Sequence, residues 1–137
     1  MKKHLTKAFI YFSAGSLGGL ANSLLVYAFG LYGLSASMGV SIAPSLTPIW
    51  LYPRIVWGGI WGMLFFLVKN KNTGVLSKAF LVSLGPTLVQ LFVIFPFKAH
   101  KGYLGLELGA LTPALVVLFN VAWGLVALLA IRSVKSA

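Results

Sequence analysis

Five polar side chains could do chemistry in this chain: Asn22, Arg54, Gln90, Glu107 and Asn120, each lodged in or against a run of apolar residues. Arg54 sits in SLTPIWLYPRIVWGGIWG, residues 45–62, among three tryptophans and two prolines. A guanidinium presents a fork of N–H donors that fits carboxylate and phosphate oxygens. If Pro53 opens a helix, Arg54 lies at its N-terminus, where the macrodipole is already positive and a cation is disfavoured. An anion should then compensate it: Glu107 from another loop, an anionic ligand or a lipid phosphate. The bland alternative is that the side chain snorkels to the headgroups. Asn22 and Gln90 fall near the middles of apolar segments, where polar groups are expensive and default to functional roles. They either line a hydrophilic cavity or act as interhelical glue, at about 0.6 kcal/mol per hydrogen bond. These five residues form the expected ligand-binding set.

Catalysis is poorly supplied. The only acid is Glu107, and there is no Asp and no Cys. Paired carboxylates, thiol nucleophiles and most metal sites are excluded on inventory alone. His4 lies in the basic tail and His100 between lysines, neither with an obvious partner. No glycine-rich phosphate loop in a strand-to-helix setting occurs. The expectation is a non-enzyme with no metal and no cofactor.

The elements that must position these residues follow from composition. Of 137 residues, 59% are hydrophobic and 9% charged, and mean hydropathy is +0.95. A soluble domain has about 25% charged residues, because its surface faces water. This inventory builds a membrane protein instead. Apolar segments at about residues 8–32, 49–68, 78–97 and 113–131 each approach the roughly 20 residues that cross a bilayer. Four transmembrane helices are predicted, in one polytopic domain over residues 1–137. The start resembles a signal peptide, with a basic region and small residues near Ala21, but LLVYAFGLY prolongs the apolar run and predicts an uncleaved first helix.

Net charge is +10. The cations sit mostly at segment ends rather than in a basic stripe with interleaved aromatics, which argues against nucleic acid. Lys2, Lys3, Lys7, Lys69, Lys71, Lys78, Arg132 and Lys135 fall on one side; Arg54, Lys98 and Lys101 fall on the other. The positive-inside rule then predicts both termini in the cytoplasm, across a plasma (inner) membrane.

The two outer connections, LSASMGVSIAPSLTP and AHKGYLGLELGALTP, are apolar and both end in Leu-Thr-Pro. Thr can cap a helix whose first turn accepts Pro. Apolar connections of this kind predict re-entrant or interfacial segments. The shared tripeptide belongs to a wider internal repeat. TKAFI at Thr6 matches SKAFL at Ser77, LANSLLVYAF aligns with LVQLFVIFPF, and RIVWG aligns with NVAWG. This predicts two hairpins in parallel tandem, about residues 6–68 and 77–132, pairing Asn22 with Gln90 and Arg54 with Asn120. A cavity is expected at the seam between them.

Gly15 and Gly19, and Gly58 and Gly62, carry the spacing that lets helices approach closely, within the bundle or in a homodimer. Trp50, Tyr52 and Trp57 fit an interfacial belt, Trp61 lies deeper, and Pro86 predicts a kink. The expected function is a transport or channel-type protein for a small anionic or zwitterionic solute. The alternatives are a non-catalytic accessory or assembly subunit of a larger membrane complex, or a lipid-binding protein. Expected partners are the bilayer, further copies of the chain or other membrane subunits.

Overall fold

A computed structural model describes residues 2–68 and 74–136, the side chain of Ser136 excepted. The short basic connection carrying Lys69 and Lys71 lies outside the described residues. Helix α1 spans Lys2–Leu31 and takes in the lysine-rich tail. A four-residue helix, α2, covers Leu34–Ser37. Helix α3 spans Pro48–Gly62, and the Thr47 hydroxyl accepts from the Trp50 N–H at 3.2 Å, as a Thr-Pro start requires. A 3₁₀ turn, Met63–Phe66, prolongs it. Helix α4, Val75–Val89, runs on without a break into a π-helix over Gln90–Lys98. Pro86 and Pro96 each remove an N–H from this ladder, and wider i→i+5 winding occupies the stretch where α-helical pairing is weakened. Helix α5 spans Thr112–Ser136.

Among the described residues, three helices are long and apolar enough to cross a membrane: Lys2–Leu31, Val75–Lys98 and Thr112–Lys135. Helix α3, at 15 residues, covers only about 22 Å at ~1.5 Å per residue. The solvent-facing surface agrees with a membrane setting. Phe9, Leu17, Ile49, Trp57, Phe80 and Phe92 point outward, while Asn22, Ser23, Ser83, Thr87 and Asn120 are buried. Water would favour the reverse.

The long helices alternate in direction. Helix α1 packs against α3 and α5, and α5 packs against α4; α3 and α4 do not pack along their lengths. The spatial order is therefore α3–α1–α5–α4, with a gap between the outer two. The α1–α3 contact is backbone on backbone. A Cβ at Gly58 would lie 2.7 Å from the Gly15 carbonyl oxygen and 2.8 Å from the Gly19 Cα. The small-residue spacing is thus used inside the chain.

Toward the termini the bundle is filled by Tyr11, Phe65, Val82, Trp123, Leu128 and Ile131. At the opposite end the two loops join: the Ser41 N–H donates to the Leu108 carbonyl at 2.8 Å. Gly109, with φ +149°, lies directly on the Gly39 carbonyl, where no side chain fits. The second connection is not a regular helix; its 3₁₀ segment Tyr103–Leu108 carries left-handed Leu104 and Gly105.

Candidate functional site

Arg54 fixes the site, because a guanidinium can only donate hydrogen bonds. It lies six residues beyond the Pro48 start of α3, so the expectation of a helix-terminal arginine is corrected. The dipole effect fades within the first turn, and the need for an anion has another origin. Nε donates to the Ser23 hydroxyl at 2.9 Å and Nη2 to the Asn22 Oδ1 at 2.8 Å. The Trp50 ring lies 4.7 Å from the guanidinium carbon, a cation–π contact. All three partners are neutral.

That single constraint orients every amide beyond it. With Oδ1 held by Arg54, Asn22 must turn its Nδ2 toward α5, donating to the Phe119 carbonyl at 2.7 Å and the Asn120 Oδ1 at 3.2 Å. Asn120 then directs its own Nδ2 to the Thr87 hydroxyl at 3.0 Å and, more loosely, to the Gln90 Oε1 at 3.4 Å. Gln90 is left with its NH₂ pointing away from the chain of amides. Hydrogen bonds aligned in one sense polarise one another, so the relay Arg54→Asn22→Asn120→Gln90 is a directed polar strip across the bundle. Ser23 is anchored in turn by donating to the Gly19 carbonyl at 2.7 Å.

Two cavities flank the strip, and Asn22, Arg54 and Gln90 line both. The first, about 370 Å³, occupies the gap between α3 and the α4–π helix, with Trp57 and Trp61 facing Val89 and Ile94. Lys98 borders it as well, and no acid does. The second, about 350 Å³, lies under the loop residues Ser41 to Pro44, beside Trp50 and Phe119.

Four of the five expected site residues therefore converge: Asn22, Arg54, Gln90 and Asn120. Glu107 does not join them. It is exposed in the 3₁₀ segment, its carboxylate beside Gly102, and it borders neither cavity. The reason is the folding of its loop onto the first one, which turns residue 107 outward. Sequence reasoning missed Ser23, Thr87 and Lys98 as members. Ser23 follows Asn22 and Thr87 follows the helix-interior Pro86, but Ser and Thr are common in apolar helices and gave no distinct signal.

Among the described residues no group of three or more His, Asp or Glu side chains could hold a metal. No protein-family model, no curated protein and no solved structure matches this chain.

Proposed function

We propose that the chain is a small membrane transport-type protein whose cleft, floored by Arg54, binds an anionic or zwitterionic solute. One observation carries the reading: the polar strip ends in donors only. Of the five N–H groups of a guanidinium, two are engaged by Ser23 and Asn22, and three have no acceptor among the described residues. Gln90 contributes its amide NH₂ at the other end, and Lys98 its ammonium at the border. A charge held in a largely apolar site needs a counter-charge or hydrogen-bonding partners. A bound anion supplies both.

In this reading α3 is a fourth crossing. Its 15 residues and the four of the 3₁₀ turn reach about 30 Å together, the thickness of the hydrocarbon core. Both termini are cytoplasmic in a plasma membrane. A tandem duplication of hairpins is supported by matched contacts. Arg54 bonds Asn22 as Asn120 bonds Gln90, each within its own hairpin. Gly58 meets α1 as Gly124 meets Ala79 of α4. The bond between Asn22 and Asn120 then joins the two units.

The test uses the purified chain and three soluble probes: chloride, inorganic phosphate and phosphocholine. At least one should raise the unfolding temperature in detergent and cross proteoliposome membranes carrying the protein. Arg54→Ala and Asn22→Ala should each reduce both effects about tenfold, the worth of one charge-assisted hydrogen bond. Lys101→Ala should change neither. Flux and stabilisation unaltered in the Arg54→Ala/Asn22→Ala double variant would overturn the reading.

A further inference from the structure

We infer that the solute of this cleft is an anionic phospholipid admitted sideways from the bilayer, its phosphate on Arg54 and an acyl chain along the groove between α3 and the α4–π helix. The inference rests on the anion-binding reading above and names its substrate class.

The first support is where the cleft opens. Toward the termini it is stopped by Leu64 and Trp61: a Cβ at Gly85 of α4 would lie 2.5 Å from the Leu64 Cδ1 and 3.5 Å from the Trp61 ring. Toward the other end the two loops are bonded together through Ser41 and Leu108. Between those two ends the flank has no such closure, because α3 and α4 do not pack along their lengths. In a bilayer that flank faces acyl chains.

The second support is the distribution of polarity. A free inorganic anion is bound best by donors arranged around it. Here the donors lie along one strip across the floor, from Arg54 to Gln90, and the walls are Pro53, Trp57, Trp61, Pro86, Val89 and Ile94. From residue 53 to residue 61 of α3 the groove runs for about 12 Å. That pattern matches an amphiphile, with charge at one point and hydrocarbon along a line. The volume of about 370 Å³ lies in the range of sites for organic ligands, roughly 300–1,000 Å³, and is generous for a bare anion. The second cavity, about 350 Å³ and sharing Asn22, Arg54 and Gln90, gives the rest of a headgroup room beyond the phosphate. Lys98, at the border of the groove, supplies a second cation without any acid to oppose it.

The experiment places the full chain in phosphatidylcholine vesicles containing a low mole fraction of phosphatidylglycerol brominated on its acyl chains. Bromine quenches tryptophan on contact, and Trp57 and Trp61 line the groove. Brominated phosphatidylglycerol should quench with roughly tenfold enrichment over brominated phosphatidylcholine at the same fraction. Arg54→Ala should abolish that excess. Val89→Phe, which narrows the groove and leaves Arg54 in place, should at least halve it, and serves if Arg54→Ala fails to fold. Equal quenching by the two lipids, or an excess that survives both substitutions, would overturn the inference. Equal quenching together with Arg54-dependent stabilisation by phosphate or phosphocholine would remove the lipid and keep the anion site. Loss of both signals would remove both.

Discussion

Helix α3 has two flanks, and they are built in opposite ways. On the α1 side, Gly58 and Gly62 lie against Gly15, and Gly19 lies against the Arg54 backbone, main chain on main chain at each, while Gly59 meets the Ser16 hydroxyl and the Phe12 ring. On the α4 side there is a cavity of about 370 Å³ walled by tryptophan and proline. The difference explains how so short a chain can carry an open site. A helix held on one face alone must be held tightly, and in lipid close backbone packing supplies that hold without any hydrophobic drive. The tight flank also sets the geometry of the loose one. Because α1 and α3 touch at Gly19, the Arg54 Nε reaches Ser23 and its Nη2 reaches Asn22, leaving the rest of the fork toward the gap.

The comparison breaks most visibly at its glycines. Gly58→Leu drives a branched side chain into the Gly15 carbonyl and the Gly19 Cα, 2.7 and 2.8 Å from the first added carbon. Neither neighbour can move without separating the helices. A loss of about 3 kcal/mol or more is expected, measured by denaturant unfolding in mixed micelles, with loss of any Arg54-dependent binding. Gly85→Ala on the other flank meets only the tip of the Leu64 side chain, at 2.5 Å. That tip can rotate away, and alanine favours a helix over glycine by about 1 kcal/mol. The net change there should stay within about 0.5 kcal/mol. Equal losses at both glycines would mean that the flanks are not different in kind.

Arg54 sharpens the comparison, because it belongs to both flanks and two effects oppose one another. With α3 crossing the bilayer as proposed, Arg54→Met removes an intramembrane charge that costs about 2.5–3.5 kcal/mol near a helix centre. It also orphans the Asn22 Oδ1, at about 1–3 kcal/mol. Asn22 borders both cavities, so a water can take up its oxygen and the second cost falls at the low end. Without ligand, Arg54→Met should therefore raise stability by about 2 kcal/mol while abolishing anion binding. The reverse, a loss near 2 kcal/mol with binding intact, would make the guanidinium a strut between α1 and α3. That result would leave the cleft without a purpose for its charge.

Part of this site is legible in the amino-acid sequence, and the reason is economy. Polar residues are so few in the apolar segments that Asn22, Arg54, Gln90 and Asn120 can be picked out singly, and they meet in one network. The glycine pairs are legible as a contact for the same reason, although not as one made within the chain. The spatial order α3–α1–α5–α4 is not, because helices apolar on all sides carry no stripe to say which face meets which neighbour. Nor is the far end. The fold of the loops depends on contacts such as Ser41 with Leu108 and Gly109 with Gly39, between segments about 70 residues apart. Those contacts turn Glu107 away from Arg54, and no local pattern announces them. The π winding after Val89 is foreshadowed only as a kink at Pro86.

The smallest expected effect lies where the two hairpins look most alike, at their Leu-Thr-Pro starts. Thr47 is exposed and caps α3 through its bond from the Trp50 N–H at 3.2 Å. Thr112 falls inside the first turn of α5, fully buried, its hydroxyl without a partner among the described residues. Both threonines were expected to cap, and the second is displaced because the Tyr103–Leu108 segment is packed over the start of α5, with Gly105 against the Thr112 methyl. Thr47→Ala should therefore cost about 1 kcal/mol, and it should speed amide exchange in the first turn of α3, on the open flank. Thr112→Val keeps the shape and removes a hydroxyl that is desolvated without a hydrogen bond, so it should be neutral or stabilising by up to about 1 kcal/mol. The opposite signs follow from which helix starts at the edge of the bundle and which starts beneath the joined loops. If Thr112→Val destabilises as much as Thr47→Ala in a thermal melt, the hydroxyl at 112 is a working cap, and the two hairpins begin their second helices in the same way after all.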